Sequence, residues 1–173
     1  MSFLRILSIL AIFCTVFVTN ACSRNQTGLG SVISGPKVTI YFTKASDELG
    51  VVLIPVVRKI PKGKTAYEVA IQQLFLGPNE AEQAKQELNT EVPEGSRLID
   101  VEENSKEVKI DISARFINGG GSETMQVRFR QLRETALTLA KGRPVYLYID
   151  GAKAKMLGGE GIEVPQPLDK ELD

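Results

Sequence analysis

The 173-residue chain contains no histidine. That absence removes the commonest general base and the commonest transition-metal ligand at once. Cysteine is nearly absent as well: Cys14 falls inside an apolar N-terminal run and Cys22 lies just beyond it, directly after Ala21. If the leader is cut off, one cysteine remains, so no internal disulfide can form. If Cys22 carries lipid or sits at the new terminus, neither a cysteine nucleophile nor a zinc–thiolate cluster is available. Net charge is missing too, since 21 Lys and Arg balance 21 Asp and Glu. Proteins that grip a phosphate backbone gather an excess of positive charge, so nucleic acid is not an expected partner. Carboxylate chemistry survives on paper, but it needs two acids facing one cleft in contrasting environments. Glu102 and Glu103 sit beside a turn, and Glu80, Glu82 and Glu87 scatter over a polar segment, so all five read as solvated surface. No enzyme, cofactor or metal is expected.

What is present begins with Arg5, the apolar run Ile6 to Val18, and Thr19-Asn20-Ala21 before Cys22. The run falls short of the roughly 20 apolar residues of a membrane span and suits the core of an export signal. Ala21 fits cleavage by an ordinary signal peptidase or by the lipoprotein enzyme that cuts before cysteine. Ala21 and Cys22 match a lipobox, while Thr19 stands where leucine is usual. Lipidation at Cys22 is the preferred reading, with secretion or an uncut anchor as alternatives. Residues 1–21 are therefore read as a signal peptide and 22–36 as a flexible Ser/Gly/Asn-rich tether, with a root-mean-square reach of roughly 20 Å. Cleavage leaves about 150 residues, enough for one domain, read as 37–173.

Within that domain Val38, Ile40 and Phe42 alternate with Thr39, Tyr41 and Thr43, as in a half-buried strand. A second strand, Val51 to Ile60, is apolar on both faces, and Pro55 within it calls for an edge or a bulge. Thr65-Ala66-Tyr67-Glu68 is a capping box. It opens a helix with Tyr67, Ala70, Ile71, Leu74 and Phe75 on one side, stopped by Gly77-Pro78. A short helical turn follows within Asn79 to Leu88. Leu98 to Glu103 and Glu107 to Ser113 form a hairpin about Asn104-Ser105, with Val108, Ile110 and Ile112 facing inward. Gly119-Gly120-Gly121-Ser122 leads into a second long helix, with Ser122 as cap and Met125, Phe129, Leu132, Ala136 and Leu139 as the buried stripe. Val145, Leu147 and Ile149 build a strand, Asp150-Gly151 turns toward a short strand near Ala154 to Leu157, and the tail runs extended through Pro165 and Pro167. The order ββαββαββ predicts an α+β two-layer sandwich, a mostly antiparallel sheet with two main helices on one face.

Several of these pieces together resemble a GerMN domain, the module of sporulation and germination proteins and of many envelope lipoproteins. They are Val38 to Phe42, Leu76-Gly77-Pro78, Val92-Pro93-Glu94-Gly95-Ser96, Val108 to Ser113 with Phe116, Gly119-Gly120-Gly121-Ser122, Ile149-Asp150-Gly151 and Leu157-Gly158-Gly159, in family order. The resemblance spans Lys37 to about Leu168. It implies a non-enzymatic interaction module of the bacterial envelope, with no catalytic or cofactor residue to carry over.

Two features carry a functional reading beside a structural one. Arg58, Lys59, Lys62 and Lys64 form a basic patch that is either a solvated face or a contact for anionic headgroups or wall polymers. Tyr41, Tyr146 and Tyr148 fall opposite the core face, where tyrosine serves strand propensity or a docking surface. The glycine run reads as helix entry in preference to an anion cradle, because no Lys-Ser/Thr pair follows it. The leading expectation is recognition of an envelope protein or of a second copy, with the membrane reached through the N-terminal lipid. A sensor for a small or wall-derived ligand is the alternative, and its sign would be a closed apolar pocket.

Overall fold

A computed structural model describes residues 35–158 and 161–168. The expected signal peptide, Cys22 and residues 23–34 of the tether lie outside the described residues. In chain order the elements are β1 (Lys37–Ser46), β2 (Gly50–Lys59), α1 (Ala66–Leu76), α2 (Glu80–Gln86), β3 (Leu98–Glu103) and β4 (Val108–Ile112). A 3-10 turn at Ala114–Ile117 then leads to α3 (Ser122–Leu137), β5 (Val145–Ile149), β6 (Ala152–Lys153), β7 (Met156–Leu157) and β8 (Ile162–Glu163). The class is α+β with mostly antiparallel pairing, as the element order predicts. Hydrogen bonding divides the strands of the described residues among three sheets, β1-β2, β3-β4-β5-β6 and β7-β8. One pairing is parallel: β4 runs beside β5, because α3 carries the chain back across the molecule between them.

The alternation read from sequence decides the core. Val38, Ile40 and Phe42 of β1, Val108, Ile110 and Ile112 of β4, and Val145 and Leu147 of β5 are buried together with Ala70, Ile71 and Leu74 of α1 and Phe129 and Leu132 of α3. Helix α1 starts with the predicted capping box: the Thr65 hydroxyl accepts from the Glu68 N–H and the Glu68 carboxylate accepts from the Thr65 N–H. A second capping box, Asn79 with Glu82, starts α2. Asp150 and Gly151 both have positive φ, 46° and 79°, as a tight two-residue hairpin turn requires.

Two details of α3 differ from expectation. Its N-cap is Gly121, whose carbonyl accepts from the Met125 N–H, so Ser122 is the first helical residue and not the cap. Extended backbone at Gly121 (φ −89°, ψ −175°) moves the entry one residue earlier. The helix ends at Leu137, which leaves Leu139 half-buried beyond the stripe.

Pro55 sits on an edge. Its partner Tyr41 donates its N–H to Thr135 Oγ1 (3.1 Å) and accepts at its C=O from Gln131 Nε2 (3.0 Å), both on α3. The Tyr41–Pro55 pair is therefore a non-hydrogen-bonded one. The nitrogen of Pro55 faces the open side of β2, where no ladder donor is needed.

Candidate functional site

The four-stranded sheet turns one face inward and leaves the other open. Parallel register sets Lys109 beside Tyr146 and Asp111 beside Tyr148, while antiparallel register sets Glu102 beside Lys109, Asp100 beside Asp111, and Lys153 beside Tyr148. Because successive side chains alternate between faces, all seven project from the side opposite Ile110 and Leu147. Each is half-buried or exposed. Sequence alternation alone puts Tyr146 and Tyr148 outward. That Asp100 and Asp111 join them depends on a register that no local signal carries, including a bulge between Leu98 and Asp100, whereas the Asp150-Gly151 turn sets Lys153 across from Tyr148.

The charges on this face are unevenly satisfied. Lys109 Nζ lies 3.0 Å from Glu102 Oε2, and that hydrogen bond raises the lysine above its ordinary pKa. Lys153 Nζ stands 4.3 Å from the centroid of the Tyr146 ring, a cation–π contact. Asp111 Oδ1 accepts from the Gly151 N–H at 3.1 Å, which ties the carboxylate to the β5–β6 turn. Neither Asp100 nor Asp111 has an ion pair among the described residues. Together Asp100, Glu102, Lys109, Asp111, Tyr148 and Gly151 line an open groove of about 220 Å³. Two carboxylates thus meet across β3 and β4, yet both belong to an open surface. An acid–base pair draws its function from contrasting, water-excluding environments, which this face does not supply.

The other expected site residues are dispersed. Tyr41 belongs to the hairpin, half-buried, with its backbone tied to α3. Arg58 makes a two-pronged contact with Glu82, both oxygens at 2.6 Å. Glu82 is only 8% exposed, which corrects its reading as solvated surface: it closes the α2 capping box with one oxygen while both oxygens take the guanidinium. The hydrogen bonds from Arg58 hold its carboxyl below the ordinary range, against the opposing effect of burial. Lys64 pairs with Glu68 at 3.6 Å. Lys59 and Lys62 remain exposed.

Sequence reasoning missed the buried polar residues of α3. Arg128, 3% exposed, donates to the carbonyls of Glu91, Phe116, Asn118 and Gly119. The glycine loop therefore turns carbonyls toward an internal cation, the reverse of an anion cradle. Burial lowers the pKa of this guanidinium. Positive φ at Gly119 and Gly120 permits the wrap, and a Cβ at Gly120 would come within 2.7 Å of Thr124 Cγ2.

The family model Germane, described as sporulation and spore germination, matches residues 39–155. The chain belongs to this family. Among solved structures, the tandem GerMN domains of the sporulation protein GerM from Bacillus subtilis superpose with a TM-score of 0.60 at 18% identity, covering 83% of this chain and 48% of that one. The first GerMN domain of the same protein gives 0.59 at 16% identity, covering 76% of this chain and 96% of that one. This chain thus spans about half of the tandem protein and nearly all of its single first domain. At such identities the likeness concerns the GerMN fold. No curated protein matches the sequence.

Proposed function

We propose that this GerMN chain is a non-enzymatic recognition module of the cell envelope, exported by residues 1–21, lipidated at Cys22, and docking a partner protein or a second copy on the open face of its four-stranded sheet. The observation that carries the reading is Tyr146 and Tyr148 on one face with Asp100 and Asp111, two carboxylates without ion pairs among the described residues. Tyrosine combines broad contact area with a water-tolerant hydroxyl and few rotamers to freeze. Unneutralised carboxylates beside it favour a partner that brings ammonium or guanidinium groups. Two described grooves, about 220 and 300 Å³, are open to solvent and unlike the closed apolar pocket that the small-ligand reading calls for. No helix among the described residues is long and apolar enough to cross a membrane.

The test is crosslinking from intact cells, comparing the parent chain with Tyr146→Ser/Tyr148→Ser. The expected result is lost crosslinks with a near-native melt. Unchanged crosslinks would move the docking surface elsewhere, and a collapsed melt would place the rings in the core. Mass spectrometry of the mature N-terminus checks lipidation, and an unmodified Cys22 in native-host protein would overturn it.

A further inference from the structure

The β1–β2 hairpin carries a second surface, on its outer face, that the recognition reading does not use. Val51, Leu53, Pro55 and Val57 alternate along that face of β2; Val51 and Leu53 are half-buried without joining the core, Leu53 across from the buried Thr43, and the face opens to water toward the base of the hairpin at Pro55 and at Val57, 48% exposed. A strand face turned to water ordinarily carries polar side chains. At the base of the hairpin Lys37 lies directly across from Lys59, a like-charge pair that costs stability when left alone. Lys62 is exposed in the turn that follows, and none of the three lysines has an ion pair among the described residues. Protection of an open edge accounts for Pro55 and Lys59. It does not account for Lys37, Lys62 or the apolar row.

An anionic phospholipid surface matches both halves of this pattern. Its headgroups attract lysines, and the boundary with its acyl chains accepts apolar side chains and tyrosine. A soluble anionic polymer would satisfy the lysines and leave the valines in water. Position agrees: the chain enters β1 at Lys37, so the segment bearing Cys22 joins the domain at the basic end. Asp47 and Glu48 occupy the opposite tip, which negative headgroups repel. We infer that the outer face of the β1–β2 hairpin docks base first on an anionic membrane, with Lys37, Lys59 and Lys62 at the headgroups and Val57 deepest.

The sequence contains no tryptophan, so one introduced indole reports alone. Full-length chain carrying Val57→Trp is reconstituted into phosphatidylcholine vesicles with or without phosphatidylglycerol, some with brominated acyl chains. Emission should shift blue and be quenched by the brominated chains only when phosphatidylglycerol is present. Leu49→Trp, at the 74% exposed tip, should stay unquenched. Replacing Lys37, Lys59 and Lys62 by Gln should lower the ratio of docked to free hairpin about a hundredfold, from about fivefold per lysine. Thr39→Trp, directly across from Val57, repeats the test if the first variant disturbs folding by circular dichroism. Absence of quenching in folded protein, or quenching indifferent to the lysines, would overturn the inference. So would an equal emission shift with soluble polyphosphate and no vesicles, which would mark a polyanion site.

Discussion

The β1–β2 hairpin and the four-stranded sheet close their strand edges with different materials. In the sheet, β4 and β5 lie between backbone partners on both sides, and one side chain finishes the job: Gln166 accepts from the Leu147 N–H and donates to the Leu147 and Ala154 carbonyls. In the hairpin, β1 has a partner strand on one side only. Its other edge is covered by the Gln131 and Thr135 side chains of α3 and by one isolated two-way backbone bridge between Thr43 and Asn89. A backbone ladder distributes its hydrogen bonds over many residues, whereas a side-chain seal concentrates them on a few. Attachment along this edge of the hairpin therefore depends on a few residues, two of them through side chains, in a way that the centre of the sheet does not.

Substitutions can break that contrast. The largest effect is expected where both regions share a core: Phe129→Ala, at a fully buried ring, should cost about 3–5 kcal/mol in denaturant unfolding. A barely shifted midpoint would show that α3 does not anchor the two regions jointly. Next, Arg58→Met removes the guanidinium that joins β2 to α2 through Glu82, at an expected cost of about 2–3 kcal/mol near pH 7. Because the Glu82 carboxyl is held below its ordinary range in the folded state, its contribution is complete above the unfolded carboxylate pKa of about 4.3 and fades as pH falls through the lower folded value. The difference between parent and variant should accordingly shrink in acid, and a gap that widens there would contradict the pairing.

Gln131→Leu sharpens the comparison most directly. It strands the Tyr41 carbonyl and the Glu91 N–H, for about 2 kcal/mol, and should raise local amide exchange in β1 more than in β4. The matching Gln166→Leu should cost about 1–2 kcal/mol, with exchange raised near Leu147. If the two variants loosen both regions equally, the distinction between ladder and seal fails. The smallest effect belongs to Tyr67→Phe. This hydroxyl, pushed up to about 12 chiefly by burial, has no hydrogen-bond partner among the described residues. Its removal should leave the melting point within the range of about 0.5 kcal/mol, or raise it.

Much of the fold was legible because its signals are local. The capping box at Thr65, the stop at Gly77-Pro78, the period-two alternation of Val108, Ile110 and Ile112 and the turn at Asp150-Gly151 each report on a few neighbouring residues, and each stands where sequence placed it. The candidate site was half legible. Alternation gave Tyr146 and Tyr148 their outward face and the Asp150-Gly151 turn brought Lys153 beside them, but β3 and β4, distant in sequence from β5, supplied Asp100 and Asp111. The basic patch shows the same limit from the other side: four cations close in sequence look alike until Arg58 finds Glu82, 24 residues away, and Lys64 finds Glu68.

The sequence by itself determined which strand faces are apolar, where α1 starts and stops, and that no histidine chemistry is available, because these follow from residue identity and short-range sterics. Only the tertiary structure decided that β4 and β5 run parallel, that Glu82 is buried with Arg58, and that Arg128 and Gln131 on α3 turn inward to carbonyls. Those outcomes rest on the balance between desolvating a polar group and satisfying it. The satisfying partner is a distant backbone atom, whose position exists only once the chain has packed.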